Sequence, residues 1–184
     1  MRGKLYILTG PSGVGKSSVA SQLLKRRPTL KKVVTCTTRP PRKDDVDGVS
    51  YHFLDRETFQ RLVDESTMFE WDEHYGHLYG SRRSDVQALM EAGSDVLFVV
   101  DVTGARTIKQ ANPEAILLFL EAETIDQLME RIAKRDQGTT AGLEERKAAI
   151  EREMAFAELA DHRIVNREGE LESTLVQIQA LMEA

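Results

Sequence analysis

The run Gly10-Pro11-Ser12-Gly13-Val14-Gly15-Lys16-Ser17 constrains this chain more than any other feature, because it joins a strand, a loop and a helix into one unit. Gly10 and Gly15 carry the spacing G-x-x-x-x-G-K-[ST]. Gly13 adds a further position where the backbone can curl and turn its N–H groups inward onto phosphate oxygens. The preceding Leu5-Tyr6-Ile7-Leu8-Thr9 is apolar enough for a buried strand. The stretch that follows, through Ser17 and Ser18, reads as a helix whose N-terminal dipole faces the same anion. In that setting Lys16 reaches the β- and γ-phosphates of a nucleoside triphosphate, and the Ser17 hydroxyl ligates Mg²⁺. A glycine-rich turn that binds nothing is the alternative, and the strand–loop–helix context argues against it.

The rest of the chain repeats the alternation of apolar runs and amphipathic stretches, which predicts an α/β fold, a parallel sheet with helices on both faces. Further strands are expected at residues 32–36, 95–101, 115–120 and 163–165. Helices are expected at 16–26, 104–110, 125–134, 142–159 and 171–182. Between Thr37 and Gly93 the pattern shifts to short alternating segments, a helix over 56–64 capped by Asp55, and a hairpin around 75–80. That middle stretch reads as a small mixed β insertion standing off the main sheet. Residues 136–142, rich in Gly and Thr, read as a mobile loop between two arginine-bearing helices. At 184 residues this is one domain with insertions. The net charge of −5 argues against a general nucleic-acid binder or an acidic-membrane binder, so any anion site must come from local clusters of Arg and Lys. The single cysteine, Cys36, excludes an internal disulfide and fits a cytoplasmic protein, with packing as its expected role. The longest apolar run, Val96 to Val100, is too short to span a bilayer, and the first strand begins too early for a signal peptide.

Two further groups of residues carry chemistry. In Thr35-Cys36-Thr37-Thr38-Arg39-Pro40-Pro41-Arg42, a stiff Pro-Pro segment holds two guanidinium groups in a fork suited to a phosphate dianion, and Tyr51 can add a phenolic donor. Alone, the same residues would make a solvated basic turn. In Phe69-Glu70-Trp71, followed by Tyr79-Gly80-Ser81, a carboxylate could accept two parallel hydrogen bonds from a guanine N1–H and 2-amino group. Alone, Glu70 would be an ordinary surface glutamate.

In this order and at this spacing, the phosphate loop, the T-T-R-x-P-R run with its downstream Tyr, the F-x-W segment bearing Glu70 and the Y-G-S turn resemble guanylate kinase over nearly the whole chain. The resemblance implies a parallel P-loop core sheet flanked by helices (residues 1–34, 94–130 and 147–184), an inserted GMP-binding subdomain (about 35–93) and a lid (about 131–146). It implies transfer of a phosphoryl group from ATP to GMP with Mg²⁺, in a monomer or small homo-oligomer. Gly10, Pro11, Ser12, Gly13, Val14, Gly15, Lys16, Ser17 and Ser18 would bind ATP. Arg39, Arg42, Tyr51 and Tyr79 would bind the GMP phosphate, and Thr35, Glu70 and Ser81 would read the base. Lys16, Arg39, Arg131, Arg135 and Arg146 would be catalytic, with Ser17 and Asp101 serving the metal. Two departures stand out. The lid sequence Lys134-Arg135-Asp136-Gln137-Gly138 differs from the family's usual run, and Val99 stands where the family commonly has a second acid.

No catalytic base is needed for such a transfer, because a nucleoside monophosphate has a second pKa near ~6 and its attacking oxygen is already ionised at neutral pH. Two other readings remain open on the sequence: a kinase of another nucleotide or of a sugar phosphate on the same scaffold, and a non-catalytic interaction module. The second sits poorly with an intact phosphate loop.

Overall fold

The computed structural model describes residues 3–74, 76–135 and 143–183. Its centre is a five-stranded, wholly parallel sheet built from β1 (Leu5–Thr9), β2 (Leu30–Lys32), β7 (Asp95–Val99), β8 (Ile116–Glu121) and β9 (His162–Val165). The strands run in the spatial order β2-β7-β1-β8-β9, which places β1 and its phosphate loop in the middle. Successive strand residues alternate faces, and here both faces are apolar. Leu8, Leu97, Leu118 and Leu120 pack with Val19 and Leu23 of α1 (Lys16–Arg26) and with Leu175 and Ile178 of α7 (Leu171–Glu183). Ile7, Phe98, Leu117 and Phe119 pack the other way, against Ala105 and Ile108 of α4 (Val102–Ala111) and Val86 and Met90 of α3 (Arg83–Glu91). Helices α5 (Ile125–Arg135) and α6 (Leu143–Ala155) follow β8, and a short 3-10 turn, Phe156–Leu159, leads into β9. No helix among the described residues is long and apolar enough to cross a membrane.

A second, four-stranded sheet is made by β3 (Cys36–Thr37), β4 (His52–Phe53), β5 (Met68–His74) and β6 (His77–Arg82), in the order β4-β3-β6-β5. It has its own small apolar cluster of Cys36, Phe59, Met68 and Leu78, with Phe59 supplied by α2 (Arg56–Asp64). The expected cap of α2 is present: the Asp55 carboxylate accepts from Thr58 N at 2.6 Å.

The strand expected over 32–36 is two strands in different sheets. β2 ends at Lys32 beside Leu97, and β3 opens at Cys36 beside Gly80. The three residues between them are bonded to both sides: Val33 N donates to Leu97 O in the large sheet, while Thr35 O accepts from His52 N in the small one. An apolar run without Gly, Pro or Asn carries no mark of such a crossing. Helix α3 was also absent from the sequence expectation. The expected helix over 142–159 is α6 followed by the 3-10 turn.

Candidate active site

The phosphate loop follows β1 and opens into α1. At Gly10, with φ 143°, an added Cβ would lie 2.1 Å from Leu120 O, so the loop can pass this close to β8 only as glycine. Gly15 caps α1 at φ 99°, where a Cβ would meet the Asn166 amide nitrogen at 2.6 Å. That amide pins the loop from the end of β9. Asn166 Nδ2 donates to Val14 O at 2.7 Å, and Thr174 Oγ1 donates to Asn166 Oδ1 at 2.9 Å. Lys16 Nζ donates to Gly10 O at 2.6 Å and Pro11 O at 3.0 Å, and Ser12 N donates to Glu153 Oε2 at 3.1 Å.

A cleft of about 290 Å³ opens between the start of α1 and the small sheet. Of the residues expected at a site, Lys16, Ser17, Thr35, Tyr51, Glu70, Tyr79 and Asp101 all line it. The hydroxyl of Ser17 and the carboxylate of Asp101 are hard oxygen donors of the kind Mg²⁺ takes. Asp101 also caps α4, accepting from Gly104 N at 2.8 Å. Strand alternation sends Glu70 and Asp72 into the cleft and turns Trp71, 43% exposed, to the other side of β5.

Glu70 is only 6% exposed. Its Oε1 has no hydrogen-bond partner, and neither has the hydroxyl of Ser81, its neighbour across the β5–β6 pair. Burial pushes the carboxyl up to about 7; the Ser81 hydroxyl and N–H, close to Glu70 but outside hydrogen-bond geometry, favour the charged form and pull it back, and repulsion from Asp101 and Asp72 adds to the rise. An orphaned carboxylate oxygen and an orphaned hydroxyl on adjacent strands are what a base with paired donors and an acceptor would satisfy.

Arg39 lies over Tyr51, its guanidinium carbon 5.3 Å from the ring centroid, and Tyr51 stands edge-on to Tyr79 at 6.2 Å. Burial, then the neighbouring Tyr79, raises the Tyr51 pKa, which keeps the phenol a donor. Thr37 Oγ1 accepts from Arg39 N at 3.1 Å and so fixes where the arginine leaves β3. Its Nη2 donates to Asp45 Oδ2 at 2.8 Å; the backbone N–H of Arg42 donates to the same oxygen, leaving the Arg42 side chain at an exposed turn.

Other expected residues do not line the cleft. Arg131 reaches Asn166 O with both terminal nitrogens at 3.4 Å, and Arg146 sits partly buried on α6. The Arg135 side chain and loop 136–142 lie outside the described residues. Val99 lines the cleft and also packs against the core beneath α1. Sequence reasoning missed Lys32, Asp72, Asn166 and Glu153. Asp72 was findable, since on a strand it must share a face with Glu70. Asn166 lies more than 150 residues from the loop it holds and carried no local signal.

A phosphate loop at the centre of a parallel sheet, facing a cleft whose far wall carries a buried carboxylate, defines a P-loop phosphotransferase. A family model described as guanylate kinase matches residues 2–184. A guanylate kinase of Thermus thermophilus is 40% identical over 184 residues, 100% of this chain and 82% of its own length. One from Synechococcus sp. is 39% identical over 181 residues, 98% of this chain and 82% of its own. The crystal structure of guanylate kinase from Anaplasma phagocytophilum superposes with a TM-score of 0.80 at 27% identity, covering 99% of this chain and 85% of that one. A shikimate kinase from Bacteroides thetaiotaomicron shares the fold alone, with a TM-score of 0.54 at 14% identity over 98% of this chain and 99% of its own. The chain belongs to the guanylate kinase family.

Proposed function

We propose that this cleft transfers the γ-phosphoryl group of ATP to GMP, giving ADP and GDP, with the donor on the phosphate loop and the acceptor on the small sheet. Family membership carries the reaction class. The observation that carries the acceptor is Glu70, a buried carboxylate with an unpartnered oxygen in a cleft that also contains Lys16. Ionised, it accepts from the guanine N1–H and 2-amino group, while the Ser81 and Thr35 hydroxyls serve the base's O6 side. Arg39, Arg42, Tyr51 and Tyr79 hold the acceptor's phosphate. The Asp45 carboxylate accepts from Arg39 Nη2, and the guanidinium lies over the Tyr51 ring.

In the transfer, an ionised oxygen of the GMP phosphate attacks the γ-phosphorus. The bond to the β–γ bridging oxygen breaks, and that oxygen leaves with ADP. The protein's task is to bring two polyanions together, by position and by charge. Lys16 and the loop's N–H groups take the β- and γ-phosphates. Arg131, Arg135 and Arg146 are assigned to the transferring group, and residues 131–146 to a lid that excludes water. Ser17, with Asp101 acting through water, would hold Mg²⁺, which when bound neutralises part of the triphosphate charge.

A coupled assay of ADP release across GMP, AMP, UMP and a ribose bisphosphate tests the reading. GMP is expected to give the highest kcat/KM. Equal rates with AMP would remove Glu70 from base selection, and turnover confined to the sugar phosphate would replace the acceptor altogether.

A further inference from the structure

Lys32 lines the cleft but has no part in the reaction as just described. It ends β2 on the large sheet, whereas Arg39, Arg42, Tyr51 and Tyr79 belong to the small sheet and its turns. Its ammonium lies 5.9 Å from the centroid of the Tyr51 ring, at the outer limit of a useful cation–π contact. Glu70 and Asp72 line the same cleft, yet the Lys32 ammonium forms no ion pair or hydrogen bond with any described residue. Burial lowers its pKa. An ammonium partly withdrawn from water without a partner carries a cost that a methionine of the same reach would not. The Arg39 guanidinium lies over the same ring. Arg39 already has the Asp45 carboxylate beside it, whereas Lys32 pairs with no such group among the described residues, and an anion seated at the Tyr51 hydroxyl would supply one within reach of both cations.

We propose that Lys32 is a specificity-determining residue for the acceptor: it donates to the nucleotide's phosphate from the large sheet, opposite the donors of the small sheet. The ligand class is a phosphomonoester dianion on a nucleoside, and the ammonium discriminates by that charge rather than by the base. The inference rests on the reading that the cleft takes a nucleoside monophosphate. With the phosphate in place, Lys32 on one sheet and Tyr51 on the other share a ligand, so the acceptor itself links the two sheets.

The test compares GMP with guanosine, which keeps the base and sugar but lacks the charge. Dissociation constants for GMP and competitive inhibition constants for guanosine are measured for the wild type, Lys32→Met, Lys32→Gln and Lys32→Arg. The two neutral variants should weaken GMP roughly ten- to a hundred-fold, the loss expected for one charge-assisted hydrogen bond, while leaving guanosine and the KM for ATP unchanged. Lys32→Arg should keep most of the preference for GMP. Equal losses for GMP and guanosine, or no loss for GMP, would overturn the proposal and leave Lys32 a packing residue. A wild-type protein that binds guanosine as tightly as GMP would instead overturn the nucleotide reading of the cleft, and this inference with it.

Discussion

Glu70 holds its proton to a pH at which an ordinary glutamate has long lost it. Its carboxyl rises from 4.5 to about 7, first because burial strips its water and then because Asp101 and Asp72 repel the charged form. Between those two values the folded protein binds more protons than the unfolded chain, so stability falls as pH rises through that window. Replacing the group by a neutral amide should therefore raise the melting temperature relative to wild type near pH 8 and not near pH 5. The difference amounts to at most about 3 kcal/mol. Thermal denaturation at the two pH values checks this, and a Glu70→Gln protein less stable at both would contradict the uncompensated carboxylate. In the proposed reaction the same residue works only when ionised, so kcat/KM for GMP should climb with pH through about 7 in the wild type. Glu70→Gln should be slow with GMP and keep only the lower step, near ~6, that belongs to the acceptor's own phosphate.

At the scale of elements, the phosphate loop is held in place from a strand far away in sequence. Asn166, just past β9, donates to Val14 O, while Thr174 of α7 donates to its side-chain oxygen. Asn166→Ala removes both bonds and leaves buried groups unpaired, so it should cost roughly 1–3 kcal/mol of stability. Because the released segment is the ATP side of the cleft, KM for ATP should rise more than KM for GMP. Equal rises would mean that Asn166 supports the fold generally rather than the loop. The loop itself, β1, α1 and the Asp55 cap of α2 were legible in the sequence because each is specified by neighbouring residues, through glycine spacing, an apolar run or a capping side chain. What escaped depends on distant partners. The crossing at Val33–Thr35 is set by which strand edge each backbone group finds, and Lys32 gains its meaning only from that crossing. Helix α3 begins at Arg83, and Arg82 in front of it makes no side-chain cap, so no start signal stood there. Glu70 was legible as a residue type, whereas its burial and the orphaned Ser81 hydroxyl appear only once β5 and β6 pair.

The whole molecule divides its charge handling between two sheets. Lys16 stands at the head of the large sheet's central loop, and Arg39 and Tyr51 stand on the small one. The sheets are joined through the Val33–Thr35 crossing and a stacked pair, Phe69 on Phe98, with centroids 5.3 Å apart. On the proposed reading each substrate seats on a different sheet, so the attraction that would close the cleft is complete only with both bound. The radius of gyration in solution scattering should fall measurably with GMP and a non-hydrolysable ATP analogue together, and fall less with the analogue alone. An unchanged radius in the ternary complex would contradict closure. This division also gives the protein a built-in optical probe. Trp71 is the chain's one tryptophan, and it sits on the back of the strand that presents Glu70 and Asp72. Indole emission therefore reports on the small sheet, the proposed seat of the acceptor, with no tryptophan background from the large sheet. A stopped-flow fluorescence trace can time the docking of GMP apart from that of ATP without any label being added.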